Sequence, residues 1–134
     1  MHKGFIRSAA LLCALAVGLG AFGAHGLRAI LTDKDLATFD TAVRYQFYHS
    51  FALLITGILF REFTHRYLRW AGRLFVYGII IFSGSLYLLT FMRAMNVNGF
   101  LWLGAITPIG GLCFVVGWIM MAIAVVKRGQ RSSL

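Results

Sequence analysis

Acidic residues and cysteines are scarce in this chain, and their scarcity excludes several kinds of protein. Only 4 of the 134 residues are Asp or Glu, so no apolar segment holds the paired carboxylates that acid–base catalysis uses. The two cysteines, Cys13 and Cys113, stand inside apolar runs, where they serve as small apolar side chains rather than as a disulfide framework. We therefore expect neither a disulfide-stapled domain nor a carboxylate-based active site.

Apolar residues are abundant. Hydrophobic residues make up 60% of the chain and charged residues 13%, whereas a soluble domain has about 45–50% and about 25%. A soluble fold of this composition would leave large apolar patches in water. The composition and length predict a single-domain integral membrane protein, residues 1–134.

Four segments are candidates for helices that cross the bilayer: 8–25, 44–61, 73–93 and 108–126. The second has too few apolar residues for an independent span, which needs about 20. The preceding stretch places Leu36, Phe39, Val43 and Phe47 on one helical face, so we expect an amphipathic helix that leads into this span. The predicted fold is an all-α membrane protein, a four-transmembrane-helix bundle.

The start of the fourth span depends on the only proline. Thr107 can cap a helix and Pro108 suits a first helical position, which predicts a helix from 108 and a surface connection over 96–106. The alternative is one longer helix that contains Pro108.

Small residues mark the faces where helices approach closely. The first apolar run could be read as a signal peptide, but Ala16, Gly20 and Ala24 are spaced by four as on a packing face. We therefore expect this helix to be retained. The full set of predicted packing positions is Ala16, Gly20, Gly23, Ala24, Gly110, Gly111 and Gly117.

Basic residues are distributed unevenly between the two ends of the predicted bundle. Nine of the 13 Lys and Arg residues fall in the N-terminal segment, the connection 61–73 and the tail after residue 126. The positive-inside rule places that side in the cytoplasm. The sequence thus predicts a multi-pass protein of the inner (plasma) membrane with both termini cytoplasmic, in contact with anionic lipid at that face. Nucleic-acid binding is not expected, because the charges border apolar runs.

Ionisable and polar residues inside apolar segments are expensive, so they are the candidates for function. Tyr45 and His49 are four apart and share a helical face. With them we group a candidate polar cluster: His25, Arg44, Tyr45, His49, Ser83, Ser85 and Thr107. We expect His49 to face the bundle interior and to hydrogen-bond at least one of His25, Ser85 and Thr107. The cluster is interpretable as interhelical hydrogen bonds, as a ligand or proton site, or as a metal site. Two histidines without acidic or Cys neighbours at ligand spacing are weak evidence for metal.

Neither an enzyme nor a cofactor is predicted, since the sequence holds no nucleophile elbow, HExxH or phosphate-binding loop. The favoured function is association with lipid, with another membrane protein or with further copies of the chain. The alternative is a small transport or channel subunit whose polar path is lined by Tyr45, His49, Ser83, Ser85 and Thr107.

Several blocks together resemble the YgdD/YwdK family of small bacterial inner-membrane proteins of unknown function. They are Leu19–His25, Tyr45-Gln46 with His49, Phe82–Tyr87, Thr107–Gly111 and Gly117-Trp118. The resemblance covers nearly the whole chain and implies four spans in the plasma membrane. It implies no reaction, substrate or catalytic residue. The connection before Thr107 is somewhat longer than the family pattern.

Overall fold

The computed structural model describes residues 1–63, 66–97, 99–100 and 102–129, with only the backbone at 128 and 129. Every regular element in this part of the chain is a helix. The helices are α1 (Lys3–His25), a short 3₁₀ turn (Leu27–Ala29), α2 (Asp33–Leu59), α3 (Arg66–Gly78), α4 (Gly84–Ala94) and α5 (Trp102–Gly129). A π-helical turn, Ile79–Ser83, joins α3 to α4. The all-helical class is therefore confirmed.

Three helical segments are long and apolar enough to cross a membrane: Lys3–Ala29, Arg66–Ala94 and Trp102–Lys127. Helix α2 is not among them. It has the length, at 27 residues, but it carries Asp33, Asp35, Asp40 and Arg44 and several uncharged polar side chains. The described residues thus contain three apolar spans and one long helix of mixed polarity.

Helix α2 begins at a cap formed by Thr32. The Thr32 hydroxyl accepts the backbone N–H of Asp35 at 3.2 Å and donates to the Asp35 carboxylate at 2.7 Å, which satisfies groups that a helix start leaves unpaired. From there the helix is unbroken to Leu59. The segment expected to be amphipathic and the second candidate span are therefore parts of one helix.

Helix α5 begins at Trp102, six residues before Pro108, so the predicted start at Pro108 is corrected. The first turn of α5 is stabilised by burial of the Leu103 side chain, which is 4% exposed. The Thr107 hydroxyl also donates to the Leu103 carbonyl at 3.2 Å, and such bonds help helices inside a membrane tolerate proline. Two described residues between α4 and α5, Asn96 and Gly99, have positive φ.

Helix α3, the π-helical turn and α4 follow one another without a break, and we call them the α3–α4 rod; α5 packs on this rod. Helix α2 lies at the centre of the bundle and packs against α1, α3 and α4. Its contact with α1 extends over the whole length of α1. At one end the His2 N–H donates to the Gly57 carbonyl at 2.8 Å. At the other end the Phe39 ring lies so close to Gly23 that an added Cβ would be 2.7 Å from it. The two helices therefore run antiparallel, side by side.

Candidate functional site

Most of the buried polar side chains belong to α2: Gln46, His49, Ser50 and Thr56. The two hydroxyls among them are satisfied inside their own helix. Ser50 donates to the Gln46 carbonyl at 2.6 Å, and Thr56 donates to the Ala52 carbonyl at 2.7 Å. Hydroxyls that bond back to the preceding turn are cheap to bury, since they need no partner from another helix.

The Gln46 side chain connects three helices. Its Nε2 donates to the Leu12 carbonyl of α1 at 2.9 Å, and its Oε1 accepts the hydroxyl of Tyr87, on α4, at 2.8 Å. Gln46 is only 2% exposed. Both ends of the amide are thus occupied in a place where water is not available to replace a lost partner.

A second bond joins the α3–α4 rod to α2. The buried Ser83, the last residue of the π-helical turn, donates to the Ala42 carbonyl at 2.8 Å. Ala42 lies one helical turn before Gln46, so the two bonds stand on one face of α2. We call the side chains of Gln46, Ser83 and Tyr87, with the carbonyls they engage, the polar clasp.

His49 lies at a different depth in the bundle from the predicted cluster members on the other helices. Its ring stacks on Phe114 of α5, with centroids 3.4 Å apart and planes 9° apart, and its Nδ1 bonds the Tyr45 carbonyl at 2.7 Å. Because a carbonyl only accepts, Nδ1 carries the proton in this bond. The predicted bond from His49 to His25, Ser85 or Thr107 is therefore corrected. Phe114 is seven residues past Thr107, about 10 Å deeper along α5.

Ser85 and Thr107 do come together. Their hydroxyls are 2.7 Å apart, and Ser85 also donates to the Phe82 carbonyl at 2.9 Å. The Ser85–Thr107 bond joins α4 to α5. The hydroxyls of Ser83, Ser85 and Thr107 are therefore all hydrogen-bonded to other protein groups.

The remaining predicted members stand apart from this core. His25 is exposed at the end of α1, and its side chain makes no hydrogen bond within the described residues. Arg44 is exposed and forms an ion pair with Asp40 on its own helix. The Tyr45 ring is 39% exposed and stacks on Phe82 at 4.6 Å. The structure thus separates a buried core from residues at the bundle surface.

The predicted packing positions differ in how tightly they are enclosed. Gly110 is buried, and a Cβ there would lie 2.7 Å from the Phe82 Cβ and overlap its backbone. Gly117 meets the Phe75 ring and Gly23 the Phe39 ring in the same way. Ala16 is fully buried, Gly20 and Gly111 are half-buried, and Ala24 is exposed.

An ion pair connects α4 to the start of α2. Arg93 donates to Asp35 at 2.9 Å, and the Asp35 side chain is 13% exposed. The hydrogen bond from Thr32, helped by Arg93, holds the pKa of the Asp35 carboxyl below its usual range. This carboxylate is therefore charged at neutral pH and fixes the cap of α2.

Gln46 and Tyr87 are the site residues absent from the cluster predicted above. A signal existed in the sequence, since Gln46 is an amide in an apolar stretch, four residues after Ala42 and four before Ser50. The helical period does not show that it points at α1 and α4 together. That requires the packing angle of three helices.

Chemically, this arrangement holds helices together. No buried side-chain nitrogen or oxygen of the described residues lacks a hydrogen-bond partner. In the same part of the chain no three His, Cys, Asp or Glu side chains converge to hold a metal ion. Buried polar groups that are all satisfied rigidify a core and specify its packing.

Comparison with known proteins identifies the family. The model for the family described as "Protein of unknown function (DUF423)" matches residues 19–111. The chain belongs to this family. The matched DUF423 segment contains the polar clasp residues of α2 and α4, the α1–α2 contact at Gly23 and the Ser85–Thr107 bond.

Curated relatives of this DUF423 chain are UPF0382 membrane proteins. The chain is 45% identical over 125 residues to one from Staphylococcus epidermidis and 48% identical over 125 residues to one from Staphylococcus aureus, covering 93% of this chain and 97% of each relative. It is 44% identical over 126 residues to the UPF0382 membrane protein YwdK of Bacillus subtilis, 93% of this chain and 98% of YwdK. No solved structure matches the chain. The resemblance drawn from the sequence blocks is confirmed, and the chain is a membrane protein of a family without known activity.

Proposed function

We propose that this protein crosses the plasma membrane four times, with α2 as the second span and both termini in the cytoplasm. The support is the pairing of α1 with α2. Because α2 runs beside α1 from Phe39 at Gly23 to Gly57 at His2, a membrane that α1 crosses is crossed by α2 as well. The polar side chains of α2 are compatible with this depth because Gln46, His49, Ser50 and Thr56 are buried against protein.

The charges of the two ends support the orientation. One end of the bundle presents exposed basic side chains and Glu62 as its only acid within the described residues: Lys3, Arg7, Arg61, Arg66, Arg69, Arg73 and Lys127. The other two of the nine counted in the sequence are the Arg128 side chain and Arg131, which lie outside the described part of the chain. The opposite end mixes Arg28, Lys34, Arg44 and Arg93 with three aspartates. The more basic end therefore faces the cytoplasm.

The protein acts by association rather than by catalysis. Its basic end binds anionic lipid headgroups of the inner leaflet, and its lipid-facing helices bind another membrane protein or a further copy of the chain. The observation that carries this proposal is the closed polar core. Hydroxyls predicted to line a substrate path are instead bonded to protein: Ser83 donates to the Ala42 carbonyl, and Ser85 and Thr107 are hydrogen-bonded to each other. The alternative is a transport subunit whose path is lined by Tyr45, His49, Ser83, Ser85 and Thr107. It is less well supported because three of these five side chains are bonded to protein in this way.

Two measurements test the proposal. Cross-linking in native membranes at the endogenous level, followed by purification, should recover a discrete membrane-protein partner or a homo-oligomer. Vesicle flotation of the purified chain should show that R66Q/R69Q/R73Q weakens the preference for anionic lipid, whereas K34Q at the opposite end does not. A chain that stays uncross-linked and shows equal lipid preference in all variants would contradict association. Substrate or ion flux through reconstituted vesicles would favour the transport alternative.

A further inference from the structure

A groove separates α1 from α2 at the end of the bundle opposite the basic end. One side of the groove is formed by Gly20 and Ala24 of α1 with Arg28 of the following 3₁₀ turn, and its α2 side by Leu36, Asp40 and Val43. Its volume is about 370 Å³, within the range of about 300–1,000 Å³ found for small-molecule sites. From Arg28 back to Gly20 it follows about 12 Å of helix.

The small side chains of α1 create this groove. Gly20 and Ala24 are spaced by four, and Arg28 continues the same spacing into the turn after α1. Packing of α1 against α2 uses Gly23 and Phe39 and leaves Ala24 exposed. In a bilayer this groove opens to hydrocarbon, and an unfilled groove would forfeit dispersion contacts along its walls. An acyl chain lying in the groove would supply these contacts.

The charges at the groove are unequal. Asp40 is ion-paired with Arg44, whereas Arg28 has no acidic partner within the described residues. The groove therefore carries one uncompensated positive charge where α1 ends. A guanidinium is well suited to a phosphate, because its planar fork donates two parallel hydrogen bonds.

We propose that this groove is a binding site for one anionic phospholipid, from the leaflet on the side of the α1–α2 connection. Arg28 binds the phosphodiester, and one acyl chain lies along Gly20, Ala24 and Val43. A single phosphodiester charge matches the single uncompensated arginine. The ammonium of a zwitterionic lipid would instead stand beside Arg28 and Arg44. The proposal rests on the proposed crossing of α2 but not on which end faces the cytoplasm.

The test is native mass spectrometry of the full chain. The protein is reconstituted in nanodiscs with equal phosphatidylglycerol and phosphatidylcholine, and the lipid retained on release is identified. We expect one phosphatidylglycerol per chain. Arg28→Gln should weaken its retention about tenfold, the factor that one charge-assisted hydrogen bond supplies. Ala24→Leu, at an exposed position, should displace it by filling the groove.

Lys34→Gln is the matched control, since it removes one positive charge at the same end without lining the groove. It should retain phosphatidylglycerol as the wild type does. Equal retention of both lipids by the wild type, or undiminished phosphatidylglycerol in Arg28→Gln, would overturn the proposal. A mass of two chains that Ala24→Leu converts to one would overturn it in favour of a second copy as the occupant. R66Q/R69Q/R73Q should keep the retained lipid, which separates this site from the proposed inner-leaflet contacts.

Discussion

The Tyr87 hydroxyl donates a 2.8 Å hydrogen bond to Oε1 of Gln46, and the Nε2 of the same amide donates to the Leu12 carbonyl. A single buried side chain on α2 thereby contacts both α1 and α4. Because Ser83 engages the Ala42 carbonyl one turn away, the position of α4 against α2 is fixed at two neighbouring points.

Removing one partner of the Gln46–Tyr87 bond should destabilise the bundle more than removing both. Tyr87→Phe leaves the buried Oε1 of Gln46 unpaired, which costs about 1–3 kcal/mol. In Gln46→Leu/Tyr87→Phe no unpaired side chain remains at this bond, and most of that loss should be recovered. Thermal unfolding in detergent measures both. The control is Tyr77→Phe at a 50% exposed position, which should leave stability unchanged. Additive losses in the double variant would show that the bond does not couple α2 to α4.

His49 should contribute through packing rather than through an interhelical hydrogen bond. Its Nδ1 partner is the Tyr45 carbonyl of its own helix, so His49→Leu leaves no partner stranded on another helix. The lost stacking on Phe114 is worth about 0.5–1.5 kcal/mol. His49→Phe keeps an aromatic ring and should restore most of the loss in the same unfolding assay. A His49→Phe variant as unstable as His49→Leu would indicate that the imidazole nitrogens matter.

Adjacent glycines of α5 should respond oppositely to alanine. A Cβ at Gly110 would overlap the backbone of Phe82, whereas a Cβ at Gly111 would lie 3.9 Å from its ring. Backbone cannot move aside as a side chain can, so Gly110→Ala should separate α5 from the π-helical turn and lower stability by about 2 kcal/mol or more. Gly111→Ala should be neutral or stabilising, by up to about 1 kcal/mol, because alanine favours a helix. Equal effects at both positions would contradict the described contact between α5 and the π-helical turn.

The Asp35–Arg93 pair predicts a pH dependence of stability. Because the pKa of Asp35 is lowered in the folded protein, its contribution is present above the ordinary carboxyl pKa and lost as pH falls through the lower folded value. At neutral pH, Asp35→Asn should cost up to about 1 kcal/mol, since Arg93 is partly exposed. The difference from the wild type should close below about pH 4. Asp33→Asn, which removes a nearby carboxylate that is outside the pair, is the control. A pH-independent stability difference between Asp35→Asn and the wild type would disprove the linkage.

Composition and run lengths were sufficient to predict the helical class, because burial in lipid leaves few other ways to satisfy the backbone. They were insufficient for the start of α5. Thr107-Pro108 fits both a capped start and an interior proline, and the choice depended on whether Leu103 was buried, which is a property of the packed bundle.

The candidate site was predictable in its residue types and only partly in its pairing. Ser85 and Thr107 meet as neighbours on adjacent helices, but His25 and His49 are separated by depth. Phe39, which lies at the level of Gly23 near His25, is ten residues before His49, or about 15 Å along α2. The helical period assigns residues to a face, whereas partners on different helices are set by how far each helix extends.

Whether α2 crosses the membrane can be read from the sides on which the two termini lie. Three spans would place the termini on opposite sides, and four place them together. Fusions at each end to a phosphatase active only outside the cytoplasm and to a fluorescent protein active only within it should show fluorescence and no phosphatase activity at both termini. Phosphatase activity at one terminus with fluorescence at the other, from intact fusions, would contradict the four-span bundle.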